Sequence, residues 1–261
     1  MRLPIYQVDA FTEQLFGGNP AAVIPLEKWL DDALMQSIAA ENDLSETAFF
    51  VPEDGGYHIR WFTPDCEVDL CGHGTLASAY VIKRHLQPEV TTLHFQSRSG
   101  ELSVEARGGV FALDFPAHVP EPIPEEEADR VAAVFDRHVL EVLGSDDYLV
   151  VFDDAEAITL QHPDMEALSA LDRRGVIITA PGRDCDFVSR FFAPRVGVPE
   201  DPVTGSAHCT LVPFWAERLG RPALHARQVS ERGGDLYCEA RGERVEIAGS
   251  AVQYLEGWIE V

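Results

Sequence analysis

Three short stretches carry side chains that could do chemistry. In Asn42-Asp43-Leu44-Ser45-Glu46-Thr47-Ala48-Phe49, one carboxylate, Glu46, sits where a helix-to-strand loop enters an apolar strand. The other two, Asp69-Leu70-Cys71-Gly72-His73-Gly74-Thr75 and Pro199-Glu200-Asp201-Pro202-Val203-Thr204-Gly205-Ser206-Ala207, run through glycines into small or apolar segments. Glycines ahead of a buried helix leave its first backbone N–H groups open to an anion. A carboxylate or imidazole nearby could then move a proton on the bound molecule. Taken singly, each feature has a plainer reading. A lone glutamate is usually solvated, and a glycine turn often answers only a steric demand. Two such turns at matching places in a repeated chain point to one pocket with two helix starts facing it.

The sequence narrows the chemistry by what it omits. It has no Gly-Lys pair and no Gly-x-Gly-x-x-Gly, so neither common phosphate-binding loop is present. Gly-x-Ser-x-Gly and His-Glu-x-x-His are absent as well. The only lysines, Lys28 and Lys83, fall away from the three stretches, which argues against a Schiff-base cofactor. Five cysteines without a Cys-x-x-Cys argue against a disulfide framework or a zinc knuckle. The expected chemistry is therefore that of carboxylates, histidines, thiols and backbone amides, with no metal and no cofactor.

The elements that must position these residues come twice. Arg98-Ser99-Gly100-Glu101-Leu102-Ser103-Val104-Glu105-Ala106-Arg107 resembles Arg232-Gly233-Gly234-Asp235-Leu236-Tyr237-Cys238-Glu239-Ala240-Arg241. Upstream, Phe62-Thr63-Pro64 matches Phe192-Ala193-Pro194, and each glycine turn lies between these matches. Gly74–Ile82 and Ser206–Ala216 are small or apolar on nearly every face, the mark of a buried helix. Alternating patterns predict strands at Ile5–Asp9, Ala21–Ile24, Thr47–Val51, His58–Phe62, Glu101–Ala106 and Val110–Phe115. Helical spacing marks Leu30–Glu41, and Pro124 before three glutamates reads as the first residue of another helix. Pro213, inside the second buried helix, should kink or shift it.

The expected architecture is α+β. Two similar domains arise by duplication, each a mostly antiparallel β-barrel around a central buried α-helix. The first domain is placed at residues 1–116, with a final strand near 250–261 returning to it, and the second at 117–249. Between them, Pro116, Pro120, Pro122 and Pro124 crowd a linker.

Charge bounds the partners. Against 44 acidic residues stand 20 lysines and arginines, a formal net charge of −24. Such a field repels nucleic acid and anionic membranes, so neither is an expected partner. Met1–Phe11 lacks a basic stretch followed by an apolar core, which leads us to expect no signal peptide and a cytoplasmic location.

Taken together, Gly18-Asn19-Pro20, Asp43–Phe49, Phe62-Thr63-Pro64, Glu67–Ala77 and Glu200–His208 resemble, in order, the signature series of the phenazine-biosynthesis PhzF family. That resemblance implies the diaminopimelate-epimerase-like fold, a homodimer, and an active site between the halves. It also implies a cofactor-independent isomerase that moves a proton between carbons of a small carboxylate, such as a dihydro-hydroxyanthranilate. By the same resemblance Glu46 matches the catalytic base, and His73 and Asp201 match assisting residues. Gly72, Gly74, Thr75, Gly205, Ser206 and Ala207 fall in the ligand-cradling turns. Glycine at 74 departs from the alanine many relatives carry.

Two other readings stay open. Racemases and epimerases of the same fold use two facing thiols. Cys71 stands where their first would be, but Asp201-Pro202-Val203-Thr204-Gly205 offers no second. Cys71 is therefore read as a small packing residue. The remaining alternative is a homologue that binds a small anion without catalysis.

Overall fold

The computed structural model describes residues 1–261. It divides into two compact units, one of Met1–Asp114 with Ala248–Val261 and the other of Phe115–Ile247.

In the first unit β1 (Arg2–Ala10), β2 (Asn19–Pro25), α1 (Asp32–Asn42), β3 (Glu46–Glu53), β4 (Gly56–Phe62) and β5 (Glu67–Val68) lead into α2 (Gly72–Val81). A π-turn at Ile82–Leu86 ends that helix, and β6 (Thr92–Ser97), β7 (Gly100–Arg107) and β8 (Val110–Pro116) follow. Neighbouring strands pair β1–β2, β2–β3, β3–β4, β4–β6, β6–β7 and β7–β8, with β2–β3 and β4–β6 parallel and the rest antiparallel. The β7–β8 hairpin turns on Gly108-Gly109, both at positive φ, as a two-residue hairpin of this twist requires.

The second unit contains β9 (Glu121–Pro122), α3 (Glu125–Ala132), β10 (Glu141–Gly144), β11 (Tyr148–Val151), α4 (Ala155–Thr159), α5 (Met165–Ser169), β12 (Val176–Pro181) and β13 (Phe187–Ala193). Next come β14 (Val198–Asp201), α6 (Gly205–Leu219), β15 (Ala223–Gln228), β16 (Gly234–Arg241) and the long β17 (Arg244–Glu260). Within this unit β11–β12 is parallel, β12–β13 antiparallel, β13–β15 parallel and β15–β16 antiparallel. The run from β2 to β7 shows the same succession, so the duplication seen in short sequence matches extends to strand direction. From Ala248 onward β17 belongs to the first unit, where it pairs antiparallel with the whole of β1 and, through β8, completes a closed barrel.

Both central helices are apolar because strands surround them. In α2, Leu76, Ala77, Ala79 and Val81 are buried together with His73, Thr75 and Ser78. The two polar hydroxyls are satisfied one turn back, Thr75 Oγ1 on Cys71 O and Ser78 Oγ on Gly74 O. Pro213 does not break α6, which runs unbroken from Gly205 to Leu219. A proline at 213 cannot donate to the carbonyl four residues earlier. That carbonyl, Cys209 O, instead accepts from the His118 backbone N–H at 2.9 Å. The helix continues through Pro213, and the bond it cannot make is replaced from the segment before β9.

Two boundaries differ from expectation. Pro124 is the N-cap of α3 rather than its first residue, with extended ψ near 140°. The five-residue α4 left no periodic signal because it is too short; Asp154 starts it by accepting from Ala157 N.

Candidate active site

Glu46 opens β3, directly after the left-handed Asp43 that closes α1. Asn42 Nδ2 donates to Thr47 Oγ1 across that corner, and parallel pairing sets Glu46 beside Ala21 of β2. The first turn of α2 brings His73 against it, with Nε2 2.9 Å from Glu46 Oε2. This close contact holds the carboxylate against the ring from one side. On the other side of the ring, Nδ1 lies 3.2 Å from the side-chain amide of Asn19. Which end of that amide faces the ring is a matter of assignment; a doubly protonated ring asks for its oxygen.

Burial alone would lower the His73 pKa. The Cys71 sulfur and the Glu46 carboxylate outweigh it and hold the imidazole well above its ordinary 6.5. The Cys71 thiol moves the other way from a useful base. Burial first, and Glu46 second, push it up to about 11, against the opposing pull of His73 and of the Gly74 N–H. Burial and Glu46 thus hold the Cys71 thiol protonated, while its neighbours pull the imidazole toward its charged form. The sulfur stands 3.6 and 3.9 Å from the two ring nitrogens, nearly equidistant from both. The three ligand-type atoms lie within 4.8 Å of one another, yet this placement suits shared protons better than one shared metal ion.

Cys71 has a structural task. It is the N-cap of α2, and its Sγ accepts from Gly74 N at 3.2 Å. Thr75 N is taken by Cys71 O. Of the amides expected to cradle a ligand here, Gly74 and Thr75 are thus engaged internally, which leaves those of Gly72 and His73. Glycine at 74 also has a local reason. A Cβ there would lie 2.9 Å from both Cys71 Sγ and Trp61 Cδ1, so the indole occupies the space a methyl group would need.

In the second unit Asp201 ends β14 and Thr204 caps α6. Thr204 Oγ1 donates to Asp201 Oδ2 at 2.6 Å. Gln228, fully buried on β15, locks the turn. Its Oε1 accepts from Thr204 N, and its Nε2 donates to Asp201 O and Thr204 Oγ1. Gly205, Ser206 and Ala207 form the first turn of α6. Ser206 Oγ accepts from Arg174, whose guanidinium is anchored on the buried carboxylate of Asp147. Sequence reasoning missed Asn19 as a partner of His73, and also Gln228 and Arg174. Asn19 lay inside a quoted motif; Gln228 and Arg174 stand outside every motif, and only the fold brings them to the turn.

The structure thus gathers Glu46, His73, Gly72 and Gly74 in the first unit, and Asp201, Gly205, Ser206 and Ala207 in the second. No helix is long and apolar enough to cross a membrane.

Comparison with known proteins places the chain in a family of that fold. An uncharacterized isomerase of Pseudomonas aeruginosa is 52% identical over the full length of both chains. The crystal structure of a PhzF-family phenazine biosynthesis protein from Enterococcus faecalis superposes with a TM-score of 0.97 at 48% identity, covering 100% of each chain. A hydroxyproline epimerase of Agrobacterium vitis shares the fold alone, with a TM-score of 0.64 at 12% identity over 99% of this chain and 91% of that one. The duplicated epimerase-like barrels fit all three. With the PhzC-PhzF model, described as phenazine biosynthesis-like protein, matching residues 8–257, the chain belongs to the PhzF family.

Proposed function

We propose that this protein is a cofactor-independent isomerase that moves a proton between carbon atoms of a small carboxylate. The observation that carries this reading is the buried pair of Glu46 and His73. A carboxylate oxygen sits 2.9 Å from an imidazole that its neighbours pull toward its charged form. Glu46 is the base that takes the proton from carbon. Glu46 redelivers that proton to another carbon, and His73 orients the substrate or relays protons. We assign Asp201 to orienting the substrate or relaying protons. Gly205, Ser206 and Ala207, with the Gly72 and His73 amides, bind its carboxylate.

A two-thiol racemase is the weaker reading. Cys71 is protonated and committed to capping α2. Burial pushes Cys209 up to about 12, and its sulfur points back to Gly205 O within α6.

We propose further that the protein works as a homodimer in the cytoplasm. The family resemblance supports the dimer, as does an apolar run on β17, where Tyr254, Leu255 and Trp258 stand exposed.

Deuterium exchange tests the mechanism across many candidate substrates at once. The protein is incubated in deuterated water with a panel of small carboxylates, and each is read by mass spectrometry. We expect at least one to gain deuterium at carbon with the native protein. Glu46→Gln should slow that exchange by about 10²–10⁴ or more, since it removes the only base. Exchange at close to the native rate in Glu46→Gln would overturn the assignment.

A further inference from the structure

The two halves share one more device, which the short sequence matches only brushed. Arg60 on β4 stands two residues before Phe62, and Arg190 on β13 stands two residues before Phe192. Each arginine grips a glutamate on the following short strand with both prongs of its guanidinium. Arg60 Nε and Nη2 donate to the two oxygens of Glu67, both at 2.7 Å. Arg190 Nε and Nη2 donate to the two oxygens of Glu200 at 2.7 and 2.9 Å. Each guanidinium also lies over the phenylalanine two residues on, 5.2 Å from the Phe62 centroid and 4.8 Å from that of Phe192. Both forks are largely buried, with side-chain exposures of 13% and 12% in the first and 11% and 24% in the second.

Each fork sits where the sheet ladder is short or irregular. β5 pairs with β4 at only two positions, Trp61 with Val68 and Phe62 with Glu67. β14 pairs with β13 across an irregular register between Phe191 and Ala193. Each short strand leads into a glycine turn and a central helix. Glu67 precedes Cys71-Gly72-His73, and Glu200 stands directly before Asp201. A two-pronged arginine–carboxylate pair fixes both distance and rotation, which two ladder positions cannot do alone.

We propose that Arg60 and Glu67 are positioning residues for the proposed reaction: their fork sets the segment that places His73 against Glu46, and Arg190 with Glu200 repeats the device ahead of Asp201. The inference rests on the reading of His73 as a site residue. Its test follows the imidazole rather than turnover, so the two can fail separately.

The experiment is a histidine titration by NMR on protein carrying ring-¹³C histidine, with the His73 signal assigned from His73→Gln. Arg60→Lys keeps the charge but cannot form the fork, and Arg60→Met removes both. Loss of a nearby cation would by itself raise the His73 midpoint, so a fall reports displaced geometry. We expect both variants to lower the midpoint by about one pH unit or more, a tenfold loss of proton affinity. Arg98 also bonds Glu67, at 2.6 Å from an exposed position outside the fork, and Arg98→Met should leave the midpoint unlowered. Glu67→Gln serves in place of Arg60→Met should that variant not fold. A folded Arg60→Lys whose His73 midpoint stays within about 0.3 unit of the native value would overturn the proposal. An equal fall in Arg98→Met would overturn it too.

Discussion

Acid should destabilise the second unit through one buried histidine. His208 lies in the first turns of α6, fully buried, and its Nδ1 donates to Thr204 O at 2.8 Å. That bond makes the ring a neutral Nδ1–H tautomer and leaves Nε2 without a partner. Around it stand Phe187, at a centroid distance of 5.9 Å, and the remainder of the α6 core. Desolvation dominates and pushes the pKa down to about 4, with the Thr204 carbonyl opposing weakly. An unfolded histidine takes its proton near pH 6.5, so the unfolded chain binds more protons between pH 6.5 and 4. The stability that neutral His208 confers is whole above pH 6.5 and is lost as pH falls toward 4. Linkage with these two values gives a loss of about 2.5 kcal/mol between pH 7 and pH 4.5 from this residue alone. His208→Asn keeps a donor for Thr204 O but cannot titrate. Urea unfolding of both proteins at pH 7 and pH 4.5 isolates the difference, because the carboxylates contribute equally to each. We expect the native protein to lose about 2.5 kcal/mol more than the variant over that range. Equal losses would show that His208 is protonated in the fold at little cost, and the reasoning would fail.

Two further outcomes are expected. Cys71, whose pKa is pushed up to about 11, should resist alkylation by iodoacetamide at pH 7 in the folded protein, read by peptide mass spectrometry, while the exposed Cys66 reacts; rapid modification of Cys71 at pH 7 would revive the thiol mechanism. Sedimentation should show a dimer at micromolar concentration that Trp258→Arg weakens at least tenfold, since Trp258 is 59% exposed within one chain; a native monomer would remove the dimer from the proposal.

Much of the fold was legible because its signals are local and repeated. The two all-apolar helices could be read directly from Gly74–Ile82 and Ser206–Ala216, since no surface helix tolerates so few polar positions. The β7–β8 hairpin turns where Gly108 and Gly109 supply positive φ. What failed was information that depends on distant partners. Pro213 looked like a kink because its sequence neighbourhood cannot show that His118 will supply the missing hydrogen bond. Within the candidate site, Glu46 and His73 were legible as residue types beside glycine turns. Their contact was not, because it depends on α2 packing against β2 and β3. Gln228 and Arg174 carried no signal, since a buried amide and a tethered guanidinium are defined by what they bond rather than by their neighbours in the chain.

The repeated scaffold and the unrepeated chemistry have a common logic. Each half supplies a strand–arginine fork, a glycine turn and a buried helix, so each presents a helix start in the same way. The caps then diverge. In the first half a cysteine caps the helix, takes up the Gly74 amide with its sulfur, and leaves its neighbour His73 to meet Glu46. In the second half a threonine caps the helix, its hydroxyl turns to Asp201, and Gln228 occupies its amide. A pair of identical caps would give two equivalent groups, which suits inversion at one centre, where a proton leaves one face and arrives on the other. Unlike caps instead put a glutamate–imidazole pair in one half and an aspartate–threonine turn in the other. On the proposed reading, one base that both removes and returns a proton fits a shift between carbons, and that asymmetry is the ground on which we propose isomerisation over racemisation.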